Sequence, residues 1–563
     1  MSLLKTSLRL REWAHHRRFE RAARQPELAQ AEVLRALTRG NADTAFGREH
    51  GFGSLTRPRE YARQVPIREY EGFRPYVNRI ITGETRVLTV EPPIMFTTTS
   101  GTTGEPKLIP VTASWRERTA SLMRLWLFRA LLDHPGCLDR KMLTIVSPAV
   151  EGRTPSGIPF GAMSGVIYQG IPWLVRRHYA IPYAAYLLRD CEARYFVIMR
   201  LALAQSVSAI GTPNPTSLIR LAETAASQAE AIIRGIHDGT VGIAAPEHPG
   251  DREALQGIEA ALRPDPERAR ALARLVGQHG VLAPRYCWPA LRLIGCWLGG
   301  SAGLHARRLA EDYGPEIPLR DLGLVASEGR MTIPLEDDSA AGVLAVHANF
   351  YEFIPEDRME DPTPPVVLAH ELTEGRRYYI ILSGGNGLYR YDMNDIVEVR
   401  GFHHRTPVVA FVRKGRDMVS MTGEKLHLNQ IQAAVREAED QTKLEVWQFR
   451  VIPDVDRCRY DLLVEPRTTP GFQGQSLAFL DAFDAALARL NIEYAAKRAS
   501  KRLGPPRLWV MRPGWSERLC RADFERGKRE VQYKWPVIRH EWDAQSRAEV
   551  AATLDGCRAP SLS

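Results

Sequence analysis

Between Ala113 and Leu132, apolar residues recur at helical spacing, with Trp115, Leu122, Met123, Trp126, Leu127 and Ala130 on one side. This periodicity predicts a buried amphipathic helix. Upstream, residues 1–95 read as helical and then irregular, punctuated by Pro58, Pro66 and Pro75, with an amphipathic start around Leu8, Leu10, Trp13 and Phe19. Lys141 to Val150 is a strand candidate, followed by the glycine-punctuated stretch Gly152 to Gly170. Strands and helices then alternate to about residue 330, and Ala222 to Leu275 is largely helical, interrupted near Pro246 and Pro264. Alternation of this kind predicts an α/β architecture.

From Val343 to Val412 the pattern shortens to strand and turn. Apolar and polar positions alternate through Phe350-Tyr351-Glu352-Phe353-Ile354 and Arg377 to Leu382, and Gly384-Gly385-Asn386-Gly387 supplies a turn before Leu388-Tyr389-Arg390-Tyr391. The charged, glycine-containing segment Arg413-Lys414-Gly415-Arg416-Asp417 suits a hinge. Beyond it the pattern restarts as a small α/β unit. It predicts a helix from His427 to Glu439, strands near Val446 to Ile452 and Tyr460 to Val464, a helix from Leu477 to Ala499, and a strand from Arg507 to Met511.

One loop carries chemistry on its face. Thr98-Thr99-Ser100-Gly101-Thr102-Thr103-Gly104-Glu105-Pro106-Lys107 combines small hydroxyl residues, glycines and a terminal lysine, followed by the apolar run Leu108-Ile109-Pro110-Val111. Hydroxyls donate to anionic oxygens, and successive backbone N–H groups form an anion-binding concavity. Lys107 follows Pro106 and precedes Leu108, so this is not a Walker A loop. A plain turn between strands is the alternative; a clamp for nucleoside triphosphate is the functional reading.

At 563 residues, at least two domains are expected. A 44% hydrophobic and 25% charged composition is that of a globular protein, and no apolar run is long enough for a membrane span. The N-terminus mixes Arg and Glu with no apolar core, so no secretory signal is read and a cytoplasmic location is expected. The seven cysteines are scattered, which argues against a disulfide framework. The net charge of +9 comes from short basic clusters without a nucleic-acid-binding motif, so no nucleic-acid partner is expected. The adjacent pairs His15-His16 and His403-His404 would point their side chains apart on a helix or strand, and they are read as surface histidines.

Four further segments complement the loop. Glu328, in Ala326-Ser327-Glu328-Gly329, is a capping residue or, beside bound triphosphate, a Mg²⁺ contact. Asp395, at a strand start, either caps a turn or accepts hydrogen bonds from ribose hydroxyls. Arg413, where the expected hinge begins, is a ribose or phosphate contact or an ordinary surface arginine. Lys534, in Gln532-Tyr533-Lys534-Trp535-Pro536, is flanked by aromatics and suited to bridging an α-phosphate and an attacking carboxylate.

In this order the segments resemble luciferase-like adenylate-forming enzymes, specifically the auxin-responsive Gretchen Hagen family of acyl acid–amido synthetases. The resemblance runs from Phe73-Arg74-Pro75-Tyr76 and Gly83-Glu84 through the loop, Ala326-Ser327-Glu328 and Tyr351-Glu352-Phe353-Ile354-Pro355. It continues in Gly387-Leu388-Tyr389-Arg390-Tyr391 with Asp395, Leu490-Asn491-Ile492-Glu493-Tyr494 and Gln532 to Pro536. It implies a large N-terminal adenylate-forming α/β domain of mixed sheets and helices (1–412), a hinge (413–418), and a smaller mobile C-terminal α/β domain (419–563).

By position, the resemblance assigns Thr99, Ser100, Gly101, Thr102, Thr103, Gly104 and Lys107 to the ATP-phosphate loop, and Ser327 to the second nucleotide motif. Glu328 would contact Mg²⁺, Asp395 the ribose, Arg413 the nucleotide, and Lys534 would be the lysine delivered for adenylation. Leu324, Met393-Asn394 and Val537 depart from the family's usual tyrosine, valine-glycine and arginine. Met123, Trp126 and Met163 are candidates for an apolar acyl pocket, although such residues also build plain core. The implied activity is ATP-dependent adenylation of a small carboxylic acid and transfer to an amine, an amino acid among the candidates. Ligation to coenzyme A or a carrier, and nucleotide or nucleic-acid binding without catalysis, are the alternatives.

Overall fold

The computed structural model describes residues 2–556 apart from 56, 100–106, 244–247, 300–301, 360, 362, 416–417, 420–423, 425, 455, 500–502, 527–532 and 540. At 2–11, 99, 191, 304, 413–414, 418, 469–473, 492–493 and 496 the description is of backbone alone. The chain separates into two compact units, one spanning Met1–Val412, the other built from Arg413–Lys528 and Tyr533–Ser563.

The first unit holds three principal sheets. A parallel sheet runs Lys141–Thr144, Val207–Gly211, Leu293–Cys296, Leu319–Asp321. A second places the hairpin Met95–Thr99 and Lys107–Val111 beside Pro159–Gly161 and Gly152–Arg153. The third has seven strands, in the order Thr332–Ile333, Ala341–Leu344, Thr406–Lys414, Tyr391–His403, Arg377–Ser383, Phe350–Pro355, Val367–Leu368.

Helices Pro26–Gly40 and Tyr70–Ile81 cover this third sheet, and aromatic side chains fill the space between. Tyr389 lies 5.0 Å from Phe46 and 4.9 Å from Phe52 between ring centroids, and all three are buried. Burying one such side chain stabilises by about 1.5–3 kcal/mol. The buried amide of Gln30 ties helix to sheet: its Nε2 donates to Val346 O (2.6 Å) and Asn349 O (2.7 Å), and its Oε1 accepts from Tyr351 N–H (2.8 Å).

The helix over Ala113–Asp133 agrees with the periodicity and is capped by the Thr112 side chain. The expected strand from Lys141 stops at Thr144, ahead of Pro148, which cannot donate to a ladder. In the N-terminal helix Ser2–Arg24, Phe19 is buried but Trp13 faces outward beneath the Arg17 guanidinium, 4.7 Å from its ring centroid.

The expectation that the His403 and His404 side chains point apart is overturned. His404 lies in the turn between Tyr391–His403 and Thr406–Lys414 with φ +53°, not in a strand, so alternation fails and the two rings approach to 4.4 Å.

The second unit is a four-stranded sheet, Val446–Asp454, Arg459–Pro466, Arg507–Met511 and Val550–Asp555, packed against Leu428–Thr442 and Thr469–Leu490. The helix expected from Leu477 to Ala499 is two helices. Asn491 interrupts it, and its side chain accepts from Tyr494 N–H (2.9 Å) to cap the second, Ile492–Ala499.

Candidate active site

Ser327 and Glu328 occupy the two-residue turn of a short hairpin, Val325–Ala326 with Gly329–Arg330, where Ala326 pairs with Gly329 and Val325 with Arg330. The turn pushes a carboxylate inward: Glu328 is only 8% exposed. Its Oε1 accepts from the Tyr391 hydroxyl (3.2 Å), and its backbone carbonyl accepts from Asn386 Nδ2 (3.3 Å). Asn386 belongs to the turn that the sequence marks only by its glycines. There Gly387 is required twice over: φ is +90°, and a Cβ would come within 2.7 Å of Leu88 Cβ.

Tyr391 opens the strand that carries Asp395. Opposite it, Tyr379 pairs with Ile396 and Ile381 with Asp392, so Met393, Asn394 and Asp395 bulge out over a single partner position. Asn394 takes φ +51° within the bulge, and its N–H donates to Asp392 Oδ1 (2.7 Å). Bulges of this kind re-aim side chains next to functional sites. The buried Asp395 carboxylate and Glu328 both act on the Tyr391 hydroxyl: burial pushes it well above the ordinary tyrosine range, and the charges of Glu328, Asp392 and Asp395 push it further. Tyr391 therefore stays protonated and serves as a donor to Glu328.

The strand pair Met95–Thr99 and Lys107–Val111 is held by Tyr70. Its hydroxyl accepts from Leu108 N–H (2.8 Å) and donates to Leu108 O (3.2 Å). Burial raises the Tyr70 hydroxyl, and among the weaker contributions is the nearby charge of Glu328. Lys107 Nζ stands 5.7 Å from the Tyr70 ring centroid. The tertiary structure thus gathers Lys107, Ser327, Glu328 and Asp395 around Tyr70 and Tyr391, two tyrosines to which sequence reading gave no role. Residues 100–106, the middle of the loop, lie outside the described residues, as do the side chains of Thr99 and Arg413.

A buried ion pair holds the Tyr391 strand in place. Arg390, at φ +50°, donates from Nε to Glu352 Oε2 (2.8 Å) and from Nη1 to Ala62 O and Val65 O (2.7 Å each). It joins two sequence segments, Tyr351-Glu352-Phe353 and Leu388-Tyr389-Arg390, whose pairing no local pattern reveals.

The three apolar candidates sit on two sides of this region. Met123 Sδ lies 3.2 Å from Arg330 Nη2, two residues beyond Glu328. Trp126 is 5% exposed; its indole N–H donates to Asp321 O (2.8 Å), and its ring closes on Gly295. Met163 packs with Met95, Val111 and Trp115 beneath the loop-bearing hairpin.

Lys534 belongs to the second unit and is exposed. Both flanking aromatics are anchored. Tyr533 donates to Asp523 Oδ2 (3.0 Å); Trp535 donates to Phe449 O (2.7 Å) and lies against the Arg450 guanidinium, 4.5 Å from its ring centroid. Downstream, Val451 N–H donates to Val537 O (2.7 Å). The lysine backbone is therefore held between two fixed points while its side chain reaches solvent.

Family models match the chain in order: GH3 family N-terminal domain over residues 15–319, central domain over 342–414 and C-terminal domain over 429–541. The chain belongs to the GH3 family. Among curated GH3 relatives, indole-3-acetic acid-amido synthetase GH3.3 of Arabidopsis thaliana is 24% identical over 545 residues, covering 92% of this chain and 90% of that protein. Jasmonoyl--L-amino acid synthetase GH3.5 of Oryza sativa subsp. japonica is 25% identical over 557 residues, covering 92% and 93%. A solved GH3.15 acyl acid amido synthetase superposes with a TM-score of 0.84 at 21% identity over 97% of both chains. A 2-hydroxyisobutyryl-CoA ligase does so with 0.53 at 12% identity over 92% and 90%. These likenesses establish the adenylate-forming α/β fold. Among the described residues, no helix is long and apolar enough to cross a membrane.

Proposed function

We propose that this chain is an ATP-dependent acyl acid–amido synthetase, which adenylates a small carboxylic acid and transfers the acyl group to an amine, an amino acid being the favoured acceptor. The observation that carries the reading is the buried Glu328 carboxylate, oriented by Tyr391 and adjoining the Tyr70-fixed strands of the phosphate loop.

In the first half-reaction a carboxylate oxygen attacks the α-phosphorus of ATP. The bond to the bridging oxygen breaks, and pyrophosphate leaves with the electron pair. Thr99, Ser100, Gly101, Thr102, Thr103, Gly104 and Lys107 form the phosphate clamp in this proposal, with Ser327 behind it, Asp395 on the ribose and Arg413 on the nucleotide. Positioning and preorganised charge supply the catalysis. A hard-oxygen donor such as Glu328, whose Oε1 accepts from the Tyr391 hydroxyl, fits Mg²⁺. When bound, that ion offsets negative charge on the triphosphate. Lys534 supplies positive charge at the α-phosphate when the C-terminal domain (419–563) turns about residues 413–418. In the second half-reaction the amine nitrogen attacks the acyl carbon, the carbon–oxygen bond to AMP breaks, and the nitrogen loses a proton. Met123 and Met163 line the acyl pocket, and Trp126 backs its wall. The ATP requirement suits a cytoplasmic site of action.

The test is carboxylate-dependent exchange of labelled pyrophosphate into ATP across a panel that includes indole-3-acetic acid, followed by amino acids or coenzyme A. Exchange with at least one acid and amide formation support the reading. Thioester formation instead would assign the acceptor to the coenzyme A class. No exchange with any acid, despite ATP binding, would sink it.

A further inference from the structure

The overturned histidine pair opens onto a second site. On the N-terminal helix, His16 and Glu20 are one turn apart on the same face. The turn containing His404 docks onto that helix end: Arg405 N–H and Thr406 Oγ1 both donate to Ala23 O (3.1 Å each). This docking brings His403 Nε2 within 3.2 Å of each Glu20 oxygen and His404 Nε2 within 2.9 Å of Oε2. The ligating atoms of the three residues lie within 4.8 Å of one another. His16 Nδ1 is 3.9 Å from Glu20 Oε1, buried, and makes no hydrogen bond.

We propose that His403, His404 and Glu20 form a binding site for a first-row transition-metal ion, zinc above all, with His16 as the fourth ligand. Two or three imidazoles and one carboxylate are a nitrogen–oxygen donor set suited to Zn²⁺ rather than Mg²⁺ or Ca²⁺. Ligands at about 2.1 Å around a tetrahedral ion stand about 3.4 Å apart, so separations of 2.9 and 3.2 Å need only sub-ångström adjustment. The ring of His403 is already oriented by stacking on Phe19, and that of His16 packs against Phe128.

The charge of Arg129, close to His16, opposes a cation, which makes His16 the weakest of the four ligands. The bound ion would staple the N-terminal helix to the seven-stranded sheet, at the far end of the strand that carries Asp395.

The test is calorimetric titration of the chelator-treated full-length protein with Zn²⁺, together with the visible absorption of its Co²⁺ form. The expected result is one ion per chain at micromolar or lower concentration, with the intense Co²⁺ bands of four-coordination. His404→Ala, at a solvent-facing turn, and Glu20→Gln should each weaken binding at least tenfold while circular dichroism stays unchanged. Absence of one-to-one binding, or equal binding by wild type and both variants, would overturn the proposal and leave the cluster a hydrogen-bonded clip.

Discussion

Replacing Arg390 by leucine tests whether the strand bearing Tyr391 and Asp395 depends on one buried ion pair. Glu352 is 1% exposed and Arg390 4%. The substitution removes the donor to Glu352 Oε2 and those to Ala62 O and Val65 O, while Glu352 Oε1 already lacks a hydrogen bond. Stranding one member of a buried pair costs about 3–5 kcal/mol. With an unfolding entropy of about 2.1 cal/mol/K per residue, a loss near 4 kcal/mol in the 412-residue unit lowers Tm by about 5 °C. The sign with pH follows from Glu352, whose carboxyl burial raises above its ordinary value while Arg390 opposes the rise. Without Arg390 the folded protein holds that proton still more tightly, so stability at this site is lost as pH rises above the unfolded value near 4.5. The deficit should therefore be larger at pH 8 than at pH 5, and Glu352→Leu combined with Arg390→Leu should recover much of it. Scanning calorimetry over pH reads all three quantities. A Tm change under about 1 °C, or a deficit that grows on acidification, would refute the argument.

Removing the Tyr391 hydroxyl with Tyr391→Phe should weaken Mg²⁺-dependent pyrophosphate exchange about 10- to 100-fold, read as a raised Mg²⁺ requirement at an unchanged Tm. Lys534→Ala should lower exchange by about two to three orders of magnitude; amide formation from supplied acyl-adenylate should survive, and full exchange in the variant would cancel the role given to that lysine. Burial pushes the Asp321 carboxyl up to about 6, so the folded state binds its proton more tightly than the unfolded chain does. Acidification between those two values stabilises the wild type at this position, and the Tm deficit of Asp321→Asn should shrink from pH 5 to pH 7.5.

The loop rich in hydroxyls and glycines, the acidic second motif and the C-terminal lysine are legible because each is a local chemical signature, and their order suffices to recognise the family. Element types are legible where periodicity is strong, as in Ala113–Asp133 and Arg507–Met511. The pattern misleads where one residue leaves the expected backbone region: Asn491 stops a helix, and His404 turns where a strand is expected. Asn386 looks like a turn residue, yet its amide serves the carbonyl of Glu328, 58 positions away.

By itself, the sequence determines which chemistry is on offer: hydroxyls and glycines for phosphate, a carboxylate for a cation, a lysine between aromatics. Those properties reside in single residues and their immediate neighbours. The tertiary structure alone decides which groups meet. Tyr70 reaches Leu108, Tyr391 reaches Glu328, Arg390 reaches Glu352 and Glu20 reaches two histidines 383 and 384 positions on, because sheet register and helix docking close those distances. Side-chain charge and hydrogen bonding act over a few ångströms, and separation along the chain carries no information about separation in space.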